Sequence, residues 1–252
     1  MHILISNDDG IESDGLFELK KALERLGEVA VIAPERNWSA AGHAKTLDRP
    51  LRVREVTLRD GTPAYASDGA PSDCVALAAL GFLGYRPDLV VAGINKGPNL
   101  GGDITYSGTV AVAMEAIVSE IPGIAVSMDT YEGWRFPVAA AFAASLVEQV
   151  ARHALPADVL LNVNVPNVPR EEIAGVLVTR LGTRKYNDEL ITRTDPFGRK
   201  YYWIAGEVRP DEAAPDTDVW AVTHKYVSVT PIHMDLTNHR LLDVVRSWDL
   251  RF

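Results

Sequence analysis

The stretch ILISNDDG, residues Ile3–Gly10, decides the fold because it joins a buried strand to an acidic turn. Ile3 to Ser6 is a short apolar run, which is typical of a strand covered on both faces. Two adjacent aspartates follow, Asp8 and Asp9, with no Lys or Arg beside them. Like charges this close raise each other's pKa unless a cation lies between them. The stretch therefore predicts a first core strand and a site that needs positive charge.

A helix and a second strand follow this turn. Ser13 or Asp14 can cap the helix, and Gly27 marks its predicted end. Its inward stripe is predicted to be Leu16, Leu19, Leu23 and Leu26. The next strand, Glu28–Ala33, is stopped by Pro34. The order strand, helix, strand predicts a parallel, right-handed β-α-β unit.

Strands and helices continue to alternate as far as Gly175. Further strands are predicted at 51–58, 64–67, 89–92, 124–127 and 159–165. Helices are predicted from Pro71, over 109–120 and over 136–153. This alternation predicts an α/β fold, a three-layer sandwich of helices on both faces of a mostly parallel sheet.

After Gly175 the pattern changes to strand-like runs separated by turns. Asp195–Gly198 suits a type I turn between two strands. Residues 221–231 are predicted as one or two more strands, and 238–248 as a last helix. We therefore divide the chain into a core, 1–175, and a β-rich extension of the same unit, 176–252, that can pair with another subunit.

Composition excludes some classes of protein. The 252 residues are 47% hydrophobic and carry a net charge of −9, which argues against a nucleic-acid polymer as partner. The single cysteine, Cys74, allows no intrachain disulfide and fits a reducing compartment. The first ten residues are too short and acidic for a signal peptide, and no apolar run is long enough to cross a membrane. We expect a cytoplasmic protein with no membrane partner.

Polar residues follow several of the predicted strands. In an open α/β sheet, ligands bind beyond the carboxyl ends of the strands, so these residues are expected to converge at one edge. The candidates after successive strands are Asn7, Asp8, Asp9, Arg36, Asn37, Ser39, Asn95, Lys96, Gly97, Asn99, Ser107, Gly108 and Thr109.

The paired aspartates have two interpretations of about equal weight. They can cap the following helix and complement its dipole. They can also bind a divalent cation through oxygen, with Ser39 and Asn95 adding neutral oxygens. Ser13 and Asp14 already offer caps nearer the helix. Taken alone, Ser39 is a loop serine and Asn95 a turn residue.

The segment Ser107–Thr109 precedes a predicted helix. It suits an N-cap, and the same geometry aims backbone N–H groups at an anion. The surrounding loop lacks the P-loop pattern, and no GxGxxG follows the first strand, which counts against an NAD-type oxidoreductase. No GxSxG elbow is present, and Cys74 lies within a predicted helix. His43 shares the Ser39 loop and is a candidate proton donor or substrate contact, although a plain loop histidine is the simpler interpretation.

Six segments together resemble the SurE family, the survival-protein-E nucleotidases. They are ILISNDDG, ERNWSAAGHAKT, SDGAPSDCV, GINKGPNLGGDITYSGTVAVAMEA, DPFGRKYYWIAG and YVSVTPIHMDL. The first and fourth are the specific ones, and the resemblance covers nearly the whole chain. It implies a metal-dependent 5′-nucleotidase that releases phosphate from nucleoside monophosphates, with 3′-monophosphates and short polyphosphate as further candidate substrates.

The resemblance also implies roles for particular residues. One Mg²⁺ or Mn²⁺ per subunit is expected on Asp8, Asp9, Ser39 and Asn95, of which Asp8, Asp9 and Asn95 are also the expected catalytic residues. Substrate contacts are expected from Asn7, Ser39, His43, Asn99, Ser107, Gly108 and Thr109.

The resemblance further implies a Rossmann-like core, a projecting β-hairpin and a C-terminal exchange that forms homodimers or homotetramers. The attacking group is expected to be a metal-activated water, with an aspartyl-phosphate route as the rival. A non-catalytic nucleotide-sensing module with the same pocket is the alternative function.

Overall fold

The computed structural model describes residues 1–208 and 214–252, and a nine-stranded sheet dominates this part of the chain. Its strands are β1 (His2–Ser6), β2 (Glu28–Pro34), β3 (Val53–Thr57), β4 (Pro63–Ser67), β5 (Leu89–Lys96), β6 (Gly123–Asp129), β7 (Leu160–Pro166), β8 (Gly175–Val178) and β11 (Tyr226–Ile232). Two further strands, β9 (Tyr186–Thr194) and β10 (Lys200–Val208), form a separate antiparallel hairpin.

The strand order in the sheet is β3-β4-β2-β1-β5-β6-β7-β11-β8. The strands from β4 to β7 in this order are parallel. β3 and β11 run antiparallel to their neighbours β4 and β7, and β8 is parallel to β11. The predicted mostly parallel sheet is confirmed.

Helices cover both faces of the sheet. They are α1 (Asp14–Leu23), α2 (Pro71–Ala79), α3 (Gly108–Val118), α4 (Phe136–His153) and α5 (Asp218–Thr223), whereas α6 (Leu242–Arg246) near the C-terminus has no buried residue. α1 and α4 pack together on one face, and α2 and α3 pack together on the other. The predicted three-layer sandwich is therefore also confirmed.

The apolar side chains of β1 pack against the helices on both faces of the sheet, because side chains alternate along a strand. Ile3 and Ile5 pack among the side chains of α1 and α4, whereas Leu4 packs among those of α2 and α3. All three are essentially unexposed. A strand covered on both faces has no solvent-facing positions in its interior, which explains why residues 3–5 are apolar and the acidic residues follow the strand.

β1 lies where the winding of the sheet reverses. Its neighbours are β2 on one side and β5 on the other, so the chain builds outward in two directions from β1. Such a reversal leaves a crevice beyond the carboxyl ends of the central strands, because the connections on the two sides diverge. The Asp8–Asp9 turn lies at this crevice.

Three predicted boundaries were wrong. α1 ends at Leu23, before Gly27. Position 27 needs glycine for packing and not to end the helix, because a Cβ there would lie 2.2 Å from the carbonyl oxygen of Met1. β5 continues to Lys96, so Asn95 lies in the strand and not in the following loop. Residues 221–223, predicted as strand, form the last turn of α5.

The predicted division at Gly175 does not follow an edge of the core. β8 and β11 complete the main sheet through pairing of β11 with β7, and α5 packs on β11. The hairpin β9–β10 is confirmed, with the amide of Gly198 bonded to the carbonyl of Asp195 at 3.0 Å. Among the described residues, no helix has both the length and the apolarity to cross a membrane.

We expect Gly15→Ala to lower the free energy of unfolding by about 2 kcal/mol or more. A Cβ on Gly15 would lie 2.1 Å from the carbonyl oxygen of Ile94, so α1 would have to move away from β5. Alanine is otherwise the better helix residue by about 1 kcal/mol, so a net loss isolates the clash. Chemical denaturation measures it, with Gly102→Ala as control, since a Cβ on Gly102 meets no atom within 4 Å. Equal stability of the two variants would contradict the packing described.

Candidate metal and phosphate site

The turn after β1 is shaped by the side chain of Asn7. Its Oδ1 accepts from the amide of Gly10 at 3.1 Å, and its Nδ2 donates to Ser13 Oγ at 2.7 Å and to the Gly10 carbonyl at 3.1 Å. Ser13 in turn caps α1 by accepting from the amide of Leu16 at 3.3 Å. Asn7 is fully buried, so the structure gives it the task of holding the turn. Its predicted contact with a phosphate oxygen stays a prediction.

Asp8 lies against the N-terminus of α3. Its Oδ1 accepts a hydrogen bond from the hydroxyl of Thr109, 101 residues away in the chain. A Cβ at position 108 would lie 2.6 Å from Asp8 Cβ, so only glycine permits this approach. Ser107 caps the helix by accepting from the amide of Val110 at 3.0 Å. The predicted segment 107–109 is thus an N-cap, and it also directs a helix N-terminus at a carboxylate.

Asp9 contacts the end of β5. Its Oδ2 accepts from the backbone amide of Lys96 at 3.3 Å. The side-chain Nδ2 of the preceding residue, Asn95, donates to the carbonyl of Gly97 at 2.9 Å. The amide oxygen is then the remaining polar atom of the Asn95 side chain. The expected convergence of the ends of β1 and β5 is therefore observed.

The Ser39 loop is tied to the same turn. The backbone amide of Trp38 donates to the carbonyl of Asp8 at 2.8 Å, which places Ser39 next to this contact. Both the amide and the hydroxyl of Ser39 donate to Asn37 Oδ1 at 2.6 Å. No role for Trp38 was predicted from the sequence, and its backbone amide tethers the loop.

Glu115 anchors the other end of this loop and was missed by sequence reasoning. Its carboxylate contacts His43 Nε2 at 2.9 Å and Lys45 Nζ at 2.8 Å, although the residue is only 3% exposed. Burial acts to raise the pKa of Glu115, but the hydrogen bonds from His43 and Lys45 outweigh it and hold the pKa below its ordinary value. A glutamate inside the otherwise apolar α3 was the available indication. His43 thus pins the loop, and its role toward substrate stays a prediction.

Asn99 belongs to a buried cluster of amides. Its backbone amide donates to Asn164 Oδ1 at 2.8 Å, and its carbonyl accepts from Asn162 and Asn164 at 2.8 and 2.9 Å. Its own side chain donates to Ser127 Oγ at 2.7 Å. These bonds fix the glycine-rich loop on β6 and β7. They occupy the Asn99 amide, and its direct contact with substrate stays a prediction.

The two aspartates are electrostatically strained. Burial raises the pKa of Asp8, against hydrogen bonds from Thr109 and nearby amides. Burial and then the charge of Asp8 raise the pKa of Asp9 to about 6, although the charge of Lys96 acts in the opposite direction. Paired buried carboxylates with raised pKa values are typical of functional sites.

The arrangement fits a hard cation bound by oxygen. Asp8 and Asp9 supply carboxylates, and Asn95 and Ser39 supply neutral oxygens from neighbouring strand ends. Within residues 1–208 and 214–252, no three His, Cys, Asp or Glu side chains form a metal-binding group. A cation at this site would therefore depend on the amide and hydroxyl oxygens as well as on the two carboxylates.

Cys74 offers no alternative chemistry. It is fully buried in α2, and burial raises the pKa of its thiol to about 12. A thiol that stays protonated is a poor nucleophile. The position of Cys74 in a helix, predicted from the sequence, agrees with this environment.

The family model described as Survival protein SurE matches residues 3–188. The chain belongs to the SurE family. This match contains both aspartates, the Ser39 loop and the N-terminus of α3, so the SurE model covers every predicted site residue.

Named relatives and a solved structure extend the SurE match to the whole chain. A protein of Chloroflexus aggregans named 5′-nucleotidase SurE is 52% identical over 251 residues, 99% of each chain. A protein of the same name from Herpetosiphon aurantiacus is 55% identical over 240 residues, 94% of each chain. The crystal structure of the SurE protein from Aquifex aeolicus has a TM-score of 0.86 at 44% identity and covers 98% of both chains.

We expect Asp9→Asn to stabilise the metal-free protein at pH 7.5 by on the order of 2 kcal/mol. The folded state raises the pKa of Asp9 from 3.8 to about 6, so it binds the proton more tightly than the unfolded chain does. Stability is therefore lost as the pH rises from about 4 to about 6, and the amide removes this loss. Denaturation in EDTA at pH 4.5 and 7.5 measures the difference, which should shrink at the lower pH. Asp158→Asn, on an exposed turn, is the control; equal destabilisation by Asp9→Asn at both pH values would contradict the charge strain.

Proposed function

We propose that this protein is a divalent-metal-dependent 5′-nucleotidase, a phosphoric monoester hydrolase that converts nucleoside 5′-monophosphates to nucleoside and phosphate. The observation that carries the proposal is the pair of adjacent carboxylates at the reversal point of the sheet, where buried Asp8 meets the N-terminus of α3 and half-buried Asp9 meets the end of β5. The names of the relatives in Chloroflexus and Herpetosiphon support the same activity.

The N-terminus of α3 suits the negative charge of the proposed substrate. A phosphate monoester is a dianion, and the transition state spreads charge over its equatorial oxygens. The first amides of α3 have no partner within the helix and carry the positive end of its dipole. The amides of Gly108 and Thr109 hydrogen-bond to the Asp8 carboxylate, so the helix N-terminus faces the site. Its positive dipole end can stabilise phosphate charge that the two aspartates alone would repel.

The two aspartates support the proposal of a cation. We assign Asp8, Asp9, Asn95 and Ser39 as the residues that would hold one Mg²⁺ or Mn²⁺. When bound, such an ion neutralises the carboxylates, polarises the phosphate and makes water a better nucleophile at neutral pH. The hydrogen bond from Thr109 fixes the orientation of the Asp8 carboxylate, and the amide of Lys96 does the same for Asp9.

Hydrolysis needs a water that attacks phosphorus and a proton acceptor for it. The new bond joins the water oxygen to phosphorus, the ester P–O bond breaks, and the nucleoside oxygen gains a proton. We assign the orientation of this water to Asp9, the less buried of the two carboxylates. Asp8 is enclosed by Gly108 and bonded to Thr109, which disfavours an aspartyl-phosphate route through it.

We expect phosphate release from nucleoside 5′-monophosphates to stop in EDTA and to return with Mg²⁺ or Mn²⁺. Asp8→Asn should lower kcat/KM by more than about 100-fold, because it removes a direct ligand where loss of a supporting bond alone costs 10- to 100-fold. Phosphate release is measured on a panel that includes nucleoside 3′-monophosphates and short polyphosphate. Asp158→Asn is the matched control, with the same change of side chain on an exposed turn.

Two outcomes would contradict this function. Full release in EDTA would remove the cation from the reaction. Nucleotide binding to the wild type without release under any cation would instead favour the nucleotide-sensing module.

We also propose that the hairpin and the C-terminal segment join two or four copies of the chain. Leu190 and Ile204 face each other across β9 and β10, and they are 64% and 86% exposed. The segment from residue 235 to the C-terminus exposes Leu236, Leu241, Trp248, Leu250 and Phe252. Exposed apolar surface of this extent is typical of a protein interface.

We expect light scattering at micromolar concentration to give the mass of a dimer or tetramer. Ile204→Asp should shift the mass toward the monomer, because a charge in an apolar interface loses its hydration without a partner. Far-UV circular dichroism should remain unchanged, since Ile204 makes little contact with the core. A wild-type monomer would overturn the proposal.

A further inference from the structure

An aromatic loop borders the site beyond Gly97. This loop, residues 130–135, connects β6 to α4. Gly97 has a positive φ of 131°, and a Cβ there would lie 2.9 Å from Tyr131 Cε1. The Tyr131 ring therefore lies against the backbone of Gly97 and requires glycine at that position. Gly97 follows Asn95 by two residues, a length of chain that spans at most about 7 Å.

The Tyr131 ring is held on one side and open on the other. Arg184 interacts electrostatically with Tyr131 and donates through Nη1 to Asp103 Oδ2 at 2.9 Å. The Arg184 side chain is only 10% exposed, so this support is built into the structure. Tyr131 itself is nevertheless 67% exposed. An aromatic ring that is fixed by its neighbours but open to solvent can receive a ligand without ordering cost.

A second ring and a cation continue the same border. Trp134 Nε1 donates to the carbonyl of Thr130 at 3.1 Å, which fixes the indole. Lys96 Nζ lies 5.6 Å from the centre of the Trp134 ring, while the backbone amide of Lys96 contacts Asp9. Lys96 therefore connects the aspartates to the aromatic loop. Aromatic surface begins where the charged part of the site ends.

The shape of a nucleotide matches this sequence of surfaces. A nucleoside monophosphate carries phosphate, sugar and base in series, so the base needs a surface one sugar away from the phosphate site. Every nucleobase has a flat π-face that stacks on aromatic side chains. We propose that Tyr131 is the platform on which the nucleobase of the substrate stacks, and that Arg184 is the positioning residue that holds the ring. This inference rests on the proposed function and assigns the base-binding part of the same site.

The test compares a substrate that has a base with one that lacks it. KM and kcat are measured for adenosine 5′-monophosphate and for ribose 5-phosphate in the wild type, Tyr131→Ala and Tyr131→Phe. Tyr131→Ala should raise KM for the nucleotide by about 5- to 150-fold, because it removes one stacked ring. KM for ribose 5-phosphate should change less than about twofold. Tyr131→Phe keeps the ring and should stay near the wild type for both substrates.

Arg184→Gln tests the support of the ring. It should raise KM for the nucleotide by less than Tyr131→Ala does and leave KM for ribose 5-phosphate unchanged. A variant that only loosened the fold would affect both substrates alike. Equal changes for the two substrates, or no change in Tyr131→Ala, would overturn the platform.

Equilibrium binding separates this inference from the proposed function. Calorimetric titration of adenosine 5′-monophosphate into the wild type and Tyr131→Ala requires no turnover. Weaker binding to Tyr131→Ala with no turnover by the wild type would support the platform and overturn the nucleotidase. Turnover by the wild type with equal binding to both proteins would support the nucleotidase and overturn the platform. A wild type that neither binds nor hydrolyses the nucleotide would overturn both.

Discussion

The burial of two adjacent carboxylates at the end of β1 is the constraint on which the rest of this structure depends. Burial raises the pKa of both Asp8 and Asp9, and each charge is unfavourable to the other. The fold accepts this strain because three segments converge there to supply hydrogen-bond donors. Thr109 reaches Asp8 from α3, Lys96 reaches Asp9 from β5, and Trp38 holds the turn through the Asp8 carbonyl. A site that is unfavourable when empty of positive charge gains most when a cation binds.

α3 connects the two halves of this arrangement. Its first turn contacts Asp8 through Gly108 and Thr109, and Glu115 lies about two turns further along. Glu115 holds the Ser39 loop through His43 and Lys45. One rigid helix thus sets both the orientation of Asp8 and the position of the loop that carries a candidate ligand. The buried charge of Glu115 is tolerated because Lys45 pairs with it and His43 hydrogen-bonds to it.

The parts of the chain that were assigned to binding and to assembly lie outside the rigid layers. The aromatic loop connects β6 to α4 at the crevice, whereas the hairpin β9–β10 leaves the sheet with apolar pairs such as Leu190 and Ile204 exposed. The sheet buries apolar residues on both faces and can vary little. Connections at its edge carry no such packing requirement, so specificity and assembly can reside there.

Periodicity and turn chemistry by themselves determined the three-layer fold, the bounds of α4 and the hairpin, because these depend on residues close in the chain. Strand-end position also placed Asp8, Asp9 and Asn95 together. Only the tertiary structure decided the features that depend on contacts between residues far apart in the chain. Asn99 is held by Asn164, 65 residues away, and no local pattern contains that partner. Residues 221–223 have a strand-like sequence, yet they form the end of a helix. The buried Asp218 of this helix accepts hydrogen bonds from backbone amides of two loops that are distant in the chain.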